Sequence, residues 1–106
     1  MDTVLISGRE IPARARRRLC DTRWNNRECW ELTMELDCAE AEKLFVHDAD
    51  WQLRREIKGA ETNVVDMSEF SVAGPVIDNR DGTVTVKMGV LTEREALEII
   101  LGGKTV

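Results

Sequence analysis

The sequence predicts an α+β fold: one domain spanning all 106 residues, with about six mostly antiparallel strands, a short middle helix and a C-terminal helix. Three observations carry that expectation. Trp30, Leu32, Met34 and Leu36 alternate with Glu31, Thr33, Glu35 and Asp37, the period of two that marks a half-buried strand. Val84, Val86, Met88 and Val90 repeat the alternation directly after Asp81-Gly82, a strong hairpin signal. Thr92-Glu93-Arg94-Glu95 then reads as a capping box. It opens a helix whose apolar side is Ala96, Leu97, Ile99, Ile100 and Leu101, with Leu91 placed to staple onto Ala96 and Gly102-Gly103 at its end.

The remaining elements follow in chain order. Thr3-Val4-Leu5-Ile6-Ser7 is a short strand closed by Gly8, and Ile11-Pro12 reads as a break. A strand through residues 14–19 leads to Asn25-Asn26, two residues that tolerate positive φ and suit a hairpin turn. Asp37 with Glu40 resembles a second capping box, for a helix over residues 39–45 that ends by His47-Asp48-Ala49-Asp50. Trp51, Leu53 and Ile57 mark a strand, residues 58–63 a loop, and Val64-Val65 a strand extension. Residues 71–77 are β-prone but hold Gly74-Pro75, which points to an edge strand or a bulge.

Charge is segregated. Residues 1–27 hold seven Arg against Asp2, Glu10 and Asp21, a net of +4, whereas the rest of the chain carries −9 and the whole −5. Placing Asn25-Asn26 at the turn pairs residues whose numbers sum to 51. Leu19 then faces Leu32 and Ala15 faces Leu36 on an apolar side, while Arg16 faces Glu35, Arg14 faces Asp37 and Arg18 faces Thr33 on the other. Arg17 falls on the apolar side beside Met34. In that register Arg14 and Arg16 are compensated, and the uncompensated charge is Arg18, Arg23 and Arg27 around Trp24. These four are the candidate protein-binding residues, since Arg and Trp are favoured at interface hot spots. Trp30 and Trp51 sit at core positions.

Composition bounds the function classes. A 42% hydrophobic and 33% charged chain is globular rather than disordered, and no apolar run reaches membrane-span length. No secretory signal is visible, so the chain is expected to fold in a cytosol. Cys20, Cys29 and Cys38 are an odd set without a C-x-x-C pair and read as reduced thiols; with His47 as the single histidine, no metal site or cofactor is expected. His47-Asp48-Ala49-Asp50 has residue types used in metal and His–Asp sites, but its spacing fits no ligand motif. Asp78-Asn79-Arg80-Asp81-Gly82 lacks EF-hand spacing and serves as turn chemistry. No catalytic motif is present, and the expectation is a protein that is not an enzyme.

One resemblance adds to this reading. Residues 66–89, DMSEFSVAGPVIDNRDGTVTVKMG, resemble small uncharacterised proteins encoded in prophages of Gram-positive gut bacteria, as do the Asp21-Thr22-Arg23-Trp24 tip and the helical residues 39–46 before Trp51. The density of arginine in residues 14–18 departs from that pattern. The resemblance implies a phage-related protein acting through protein–protein contacts, as a virion or tail-assembly accessory whose partners are phage structural proteins or a host protein. An alternative is a host-directed inhibitor presenting acidic residues 28–69 (twelve Asp/Glu against four Lys/Arg) in place of phosphates. Nucleic-acid binding through the arginine-rich hairpin ranks third. Self-association through an edge strand near Gly74-Pro75 stays open.

Overall fold

In the computed structural model, which describes residues 2–55 and 63–102 (the side chains of 98–102 excepted), antiparallel strands form a single eight-stranded sheet. The strands are β1 (Asp2–Ile6), β2 (Arg9–Asp21), β3 (Arg27–Glu35), β4 (Trp51–Arg55), β5 (Asn63–Asp66), β6 (Val72–Ala73), β7 (Ile77–Asp78) and β8 (Thr83–Gly89). Helix α1 (Cys38–Leu44) links β3 to β4, and α2 (Glu93–Gly102) follows β8. The spatial order is β5-β4-β1-β2-β3-β8-β6, with β7 also on β8. The expected Ile57, the loop at 58–62 and Gly103 lie outside the described residues.

Two strands more than expected have a common cause, the interruption of what sequence reading joins. Val64-Val65 forms a strand of its own, β5, paired with β4. The edge segment is split at Gly74-Pro75: β6 pairs Val72 with Gly89, whereas β7 pairs Ile77 with Thr85, so the register shifts by one residue across the break. Proline cannot donate to a ladder, which confines this break to the sheet edge. The edge strand and the bulge are therefore both present.

Ile11-Pro12, by contrast, does not break the chain. Ser7 (φ 49) and Gly8 (φ 75) close a two-residue turn between β1 and β2. Its twist suits the flanking strands because both residues adopt positive φ. Ile6↔Arg9 closes that turn as a hydrogen-bonded pair, and alternation makes Thr3↔Pro12 a non-hydrogen-bonded one. The missing proline N–H thus costs the β1–β2 ladder nothing, and β2 runs on for 13 residues.

One face of the sheet is the core. Val4, Ile6, Ile11, Ala13, Trp30, Leu32, Met34, Trp51, Leu53, Val84, Val86 and Met88 are buried there, covered by Ala41 of α1, by its C-cap Phe45, and by Met67 and Phe70 of the segment crossing back to β6. Trp51 Nε1–H donates to the Phe70 carbonyl at 3.1 Å, and Phe70 meets Trp30 edge to face at 6.4 Å. Asp37 stands at the N-cap of α1, but its side chain makes no capping bond, so the expected box does not form there. The box at α2 does form. Glu95 Oε1 accepts from the Thr92 N–H at 3.1 Å, and the Glu95 N–H donates to Thr92 Oγ1 at 3.2 Å. Leu91, the expected staple residue, is exposed. Asp81-Gly82 lies in the β7–β8 turn as expected, where Asp81 Oδ1 accepts the Thr83 N–H at 3.0 Å.

Candidate functional site

The β2–β3 hairpin departs from the expected register. Asn25 and Asn26 both adopt φ 56 and form the turn that closes on Arg27, whose N–H reaches the Trp24 carbonyl at 3.2 Å. A second turn precedes it, with the Trp24 N–H bonded to the Asp21 carbonyl at 3.0 Å, so the loop is longer than two residues. Paired residues consequently sum to 47 rather than 51: Ala15 faces Leu32, Arg16 faces Glu31, Arg14 faces Thr33, Arg17 faces Trp30 and Arg18 faces Cys29. A slide of four is even, so the side chains of residues 14–18 keep their faces while changing their partners.

A β-bulge between Arg18 and Asp21 then does two things. The extra residue reverses the alternation, which turns Asp21 onto the face opposite the core beside Lys87. It also throws Leu19 outward to 74% exposure, not onto the Leu32 side as expected. Asp21 itself is buried. Lys87 Nζ lies 2.8 Å from Asp21 Oδ2 and 3.7 Å from Glu31 Oε1, and Arg18 Nε lies 3.0 Å from the same Glu31 oxygen. The Arg23 N–H donates to Asp21 Oδ1 at 3.1 Å. The hydrogen bond from Lys87 outweighs burial and holds the Asp21 carboxyl below its ordinary range.

Arg27 is the centre of the tip. Its side chain is only 2% exposed. The guanidinium reaches Glu95 Oε2 at 2.5 Å, the Val90 carbonyl at 2.9 Å and the Trp24 carbonyl at 3.2 Å, and it stacks 4.5 Å from the Trp24 ring centroid. The Arg27 hydrogen bond first, and those from Thr92 next, lower the Glu95 carboxyl to about 2. One glutamate thus caps α2 with one oxygen and anchors Arg27 with the other. Trp24 is half-buried, its ring against Gly74 and Gly89. A Cβ on Gly89 would stand 2.6 Å from Arg27 Cδ and 3.0 Å from Trp24 Cζ3. Gly89→Ala is accordingly expected to destabilise the protein by about 1–3 kcal/mol through overpacking, measurable as a lower urea midpoint with an unchanged slope.

These contacts redistribute the charge that sequence reading assigned. Of the four candidate residues, Arg18 is neutralised by Glu31, Arg27 is buried against Glu95, Trp24 is engaged by Arg27 and the two glycines, and Arg23 alone is exposed without an ion pair among the described residues. The reading of Arg18 and Arg27 as uncompensated is corrected, because each has a carboxylate that the shifted register or the distant α2 supplies. Arg14 and Arg16, expected to be compensated by Asp37 and Glu35, are instead exposed, with no ion pair among the described residues. Glu31, the residue opposite Arg16, is already engaged by Arg18 and Lys87.

Compared with known proteins, the chain matches no family model, no curated protein and no solved structure.

The candidate surface is therefore the distal half of β2. β1 reaches only as far as Ala13, so residues 14–20 have β3 on one side and no strand among the described residues on the other. Arg14 also lines a shallow cleft of about 460 Å³ with Pro12, Thr33, Glu35, Asp81 and Thr83. On the core side Arg17 is paired with Glu28, through Nε at 3.0 Å. Elsewhere the polar groups have structural work: His47 Nδ1 accepts the Ala73 N–H at 3.2 Å and ties the loop after α1 to the edge strand. Cys20, Cys29 and Cys38 are free thiols, and burial pushes Cys29 up and away from reactivity. No cluster of three metal-ligating side chains occurs among the described residues, and no helix there is long and apolar enough to cross a membrane.

Proposed function

We propose that the protein is a non-enzymatic binding module that engages another protein through the arginine-bearing distal half of β2. The observation that carries this reading is the pair of exposed guanidinium groups, Arg14 and Arg16, without an ion pair among the described residues, the cross-strand Glu31 being engaged by Arg18 and Lys87. Exposed arginines cost little to desolvate and bind carboxylates bidentately, which suits a protein interface. The prophage-like sequence pattern makes a phage structural protein the natural partner and a virion or tail-assembly accessory the natural role. The acidic-mimic alternative rests on residues 28–69, of which Glu28, Glu31 and Glu40 sit in ion pairs with Arg17, Arg18 and Arg9.

The test compares wild type with an Arg14→Glu/Arg16→Glu variant as bait in lysate of phage-producing cells, followed by titration with the purified partner. A protein whose affinity falls about tenfold or more in the double variant, and little in Arg23→Glu, is the expected outcome. Recovery of nucleic acid instead, with affinity that collapses as salt rises, overturns the reading.

A further inference from the structure

The open side of β2 is specified in more detail than a charged patch, and this inference rests on the binding role just proposed. Ile11 and Ala13 form hydrogen-bonded pairs with Val4 and Asp2, by alternation from the Ile6↔Arg9 pair that closes the turn. Odd-numbered residues of β2 therefore turn their N–H and C=O toward the side that β1 occupies. Beyond Ala13 that side has no strand among the described residues, so Ala15 and Arg17 present a donor and an acceptor each to a lane that no described strand fills. Even-numbered Arg14 and Arg16 bond through their backbones to β3 and project their side chains onto the solvated face.

We infer that residues 14–18 of β2 accept an extended acidic segment of a partner protein as an added antiparallel strand, in the lane that β1 leaves. Its residues opposite Ala15 and Arg17 exchange backbone hydrogen bonds with them. Its residues opposite Arg14 and Arg16 are Asp or Glu, at non-hydrogen-bonded positions where cross-strand side chains lie closest. The recognised pattern is acid, any residue, acid. A small or apolar residue in the middle fits best, because the half-buried Ala15 packs against the core on that face.

A second copy of this chain does not fit the lane. Two-fold antiparallel pairing of residues 14–18 centred on Arg16 would set Arg16 against Arg16 and Arg14 against Arg18, and like charges directly opposite are destabilising. Arginines along an exposed edge thus reject self-pairing and select a carboxylate-bearing strand. A nucleic-acid strand gains from the guanidinium groups but cannot bond the edge N–H and C=O groups as a ladder, and the Ala15 and Arg17 carbonyls repel phosphate.

The experiment titrates the full chain with a synthetic peptide, acetyl-Glu-Val-Glu-Val-Glu-Val-Glu-amide, in parallel with a single-stranded oligodeoxynucleotide, following amide chemical shifts and hydrogen exchange. Binding of the peptide should protect the Ala15 and Arg17 amides. Ala15→Pro removes an outward N–H without touching the β3 ladder and should weaken peptide binding about tenfold. A peptide N-methylated at its valines should lose affinity similarly with the protein unaltered, which covers the case in which Ala15→Pro does not fold. Unchanged affinity for the methylated peptide, or protection absent at Ala15 and Arg17, overturns the added strand. If Arg14→Glu/Arg16→Glu still abolishes binding in that event, the arginine surface stands and only the strand fails. If neither change matters, or the oligonucleotide alone binds, both readings fall.

Discussion

Replacing Arg27 with methionine is expected to lower the stability of the fold by roughly 3 kcal/mol, the low end of what breaking a buried ion pair costs. The low end applies because Glu95, the partner left behind, keeps 26% of its side chain in contact with water and can be rehydrated. The remaining loss comes from the Val90 and Trp24 carbonyls, which each lose a donor, and from Trp24, which loses the cation over its ring. Methionine fills similar space, so a cavity contributes little. Arg27→Lys tests the geometry rather than the charge. An ammonium is a point donor and cannot span Glu95, Val90 and Trp24 in the fixed fork that the guanidinium provides. Urea denaturation should rank wild type above Arg27→Lys above Arg27→Met. Equal midpoints for wild type and Arg27→Met would show that the tip is not fastened through this residue.

The same residue marks the boundary of what sequence reading can reach. Alternation is a local signal, and it placed Leu32, Met34, Val84, Val86 and Met88 on the buried face, where the structure has them. It also assigned each arginine of residues 14–18 to its face, because a period of two survives any even slide of register. Partner identity does not survive. The length of the loop before Asn25-Asn26 depends on the turn at Asp21, whose carboxylate meets Lys87, a residue 66 positions away. The Arg27–Glu95 pair spans 68 positions and leaves no periodic trace. Gly74 and Gly89, both within strand patterns, are local clues to a close approach, since a glycine there leaves room that a neighbouring side chain can enter. The consequence is an exchange: Arg18 and Arg27 are satisfied within the fold, and Arg14 and Arg16 are the ones left exposed without an ion pair among the described residues.

Acid should loosen the hairpin tip before the core responds. Glu95 titrates at about 2 in the folded protein against an ordinary value of 4.5, so the unfolded chain binds its proton first as pH falls. Stability that depends on this carboxylate is complete above about pH 4.5 and is lost progressively down to about pH 2, the sign expected when the unfolded state carries more protons. Asp21 adds in the same direction below its ordinary 3.8, because Lys87 must release a carboxylate that is protonated on unfolding. Urea midpoints measured from neutrality into that window should therefore hold steady and then fall. Arg27→Met separates the two contributions. It removes the larger cause of the low Glu95 value but leaves the Thr92 bonds and the Asp21–Lys87 pair, so its profile should start lower and fall less steeply. Glu95→Gln should flatten the profile similarly while keeping an oxygen for the Thr92 N–H. A variant profile parallel to that of wild type would mean that acid acts elsewhere, and that α2 is held to the β2–β3 tip by something other than this ion pair.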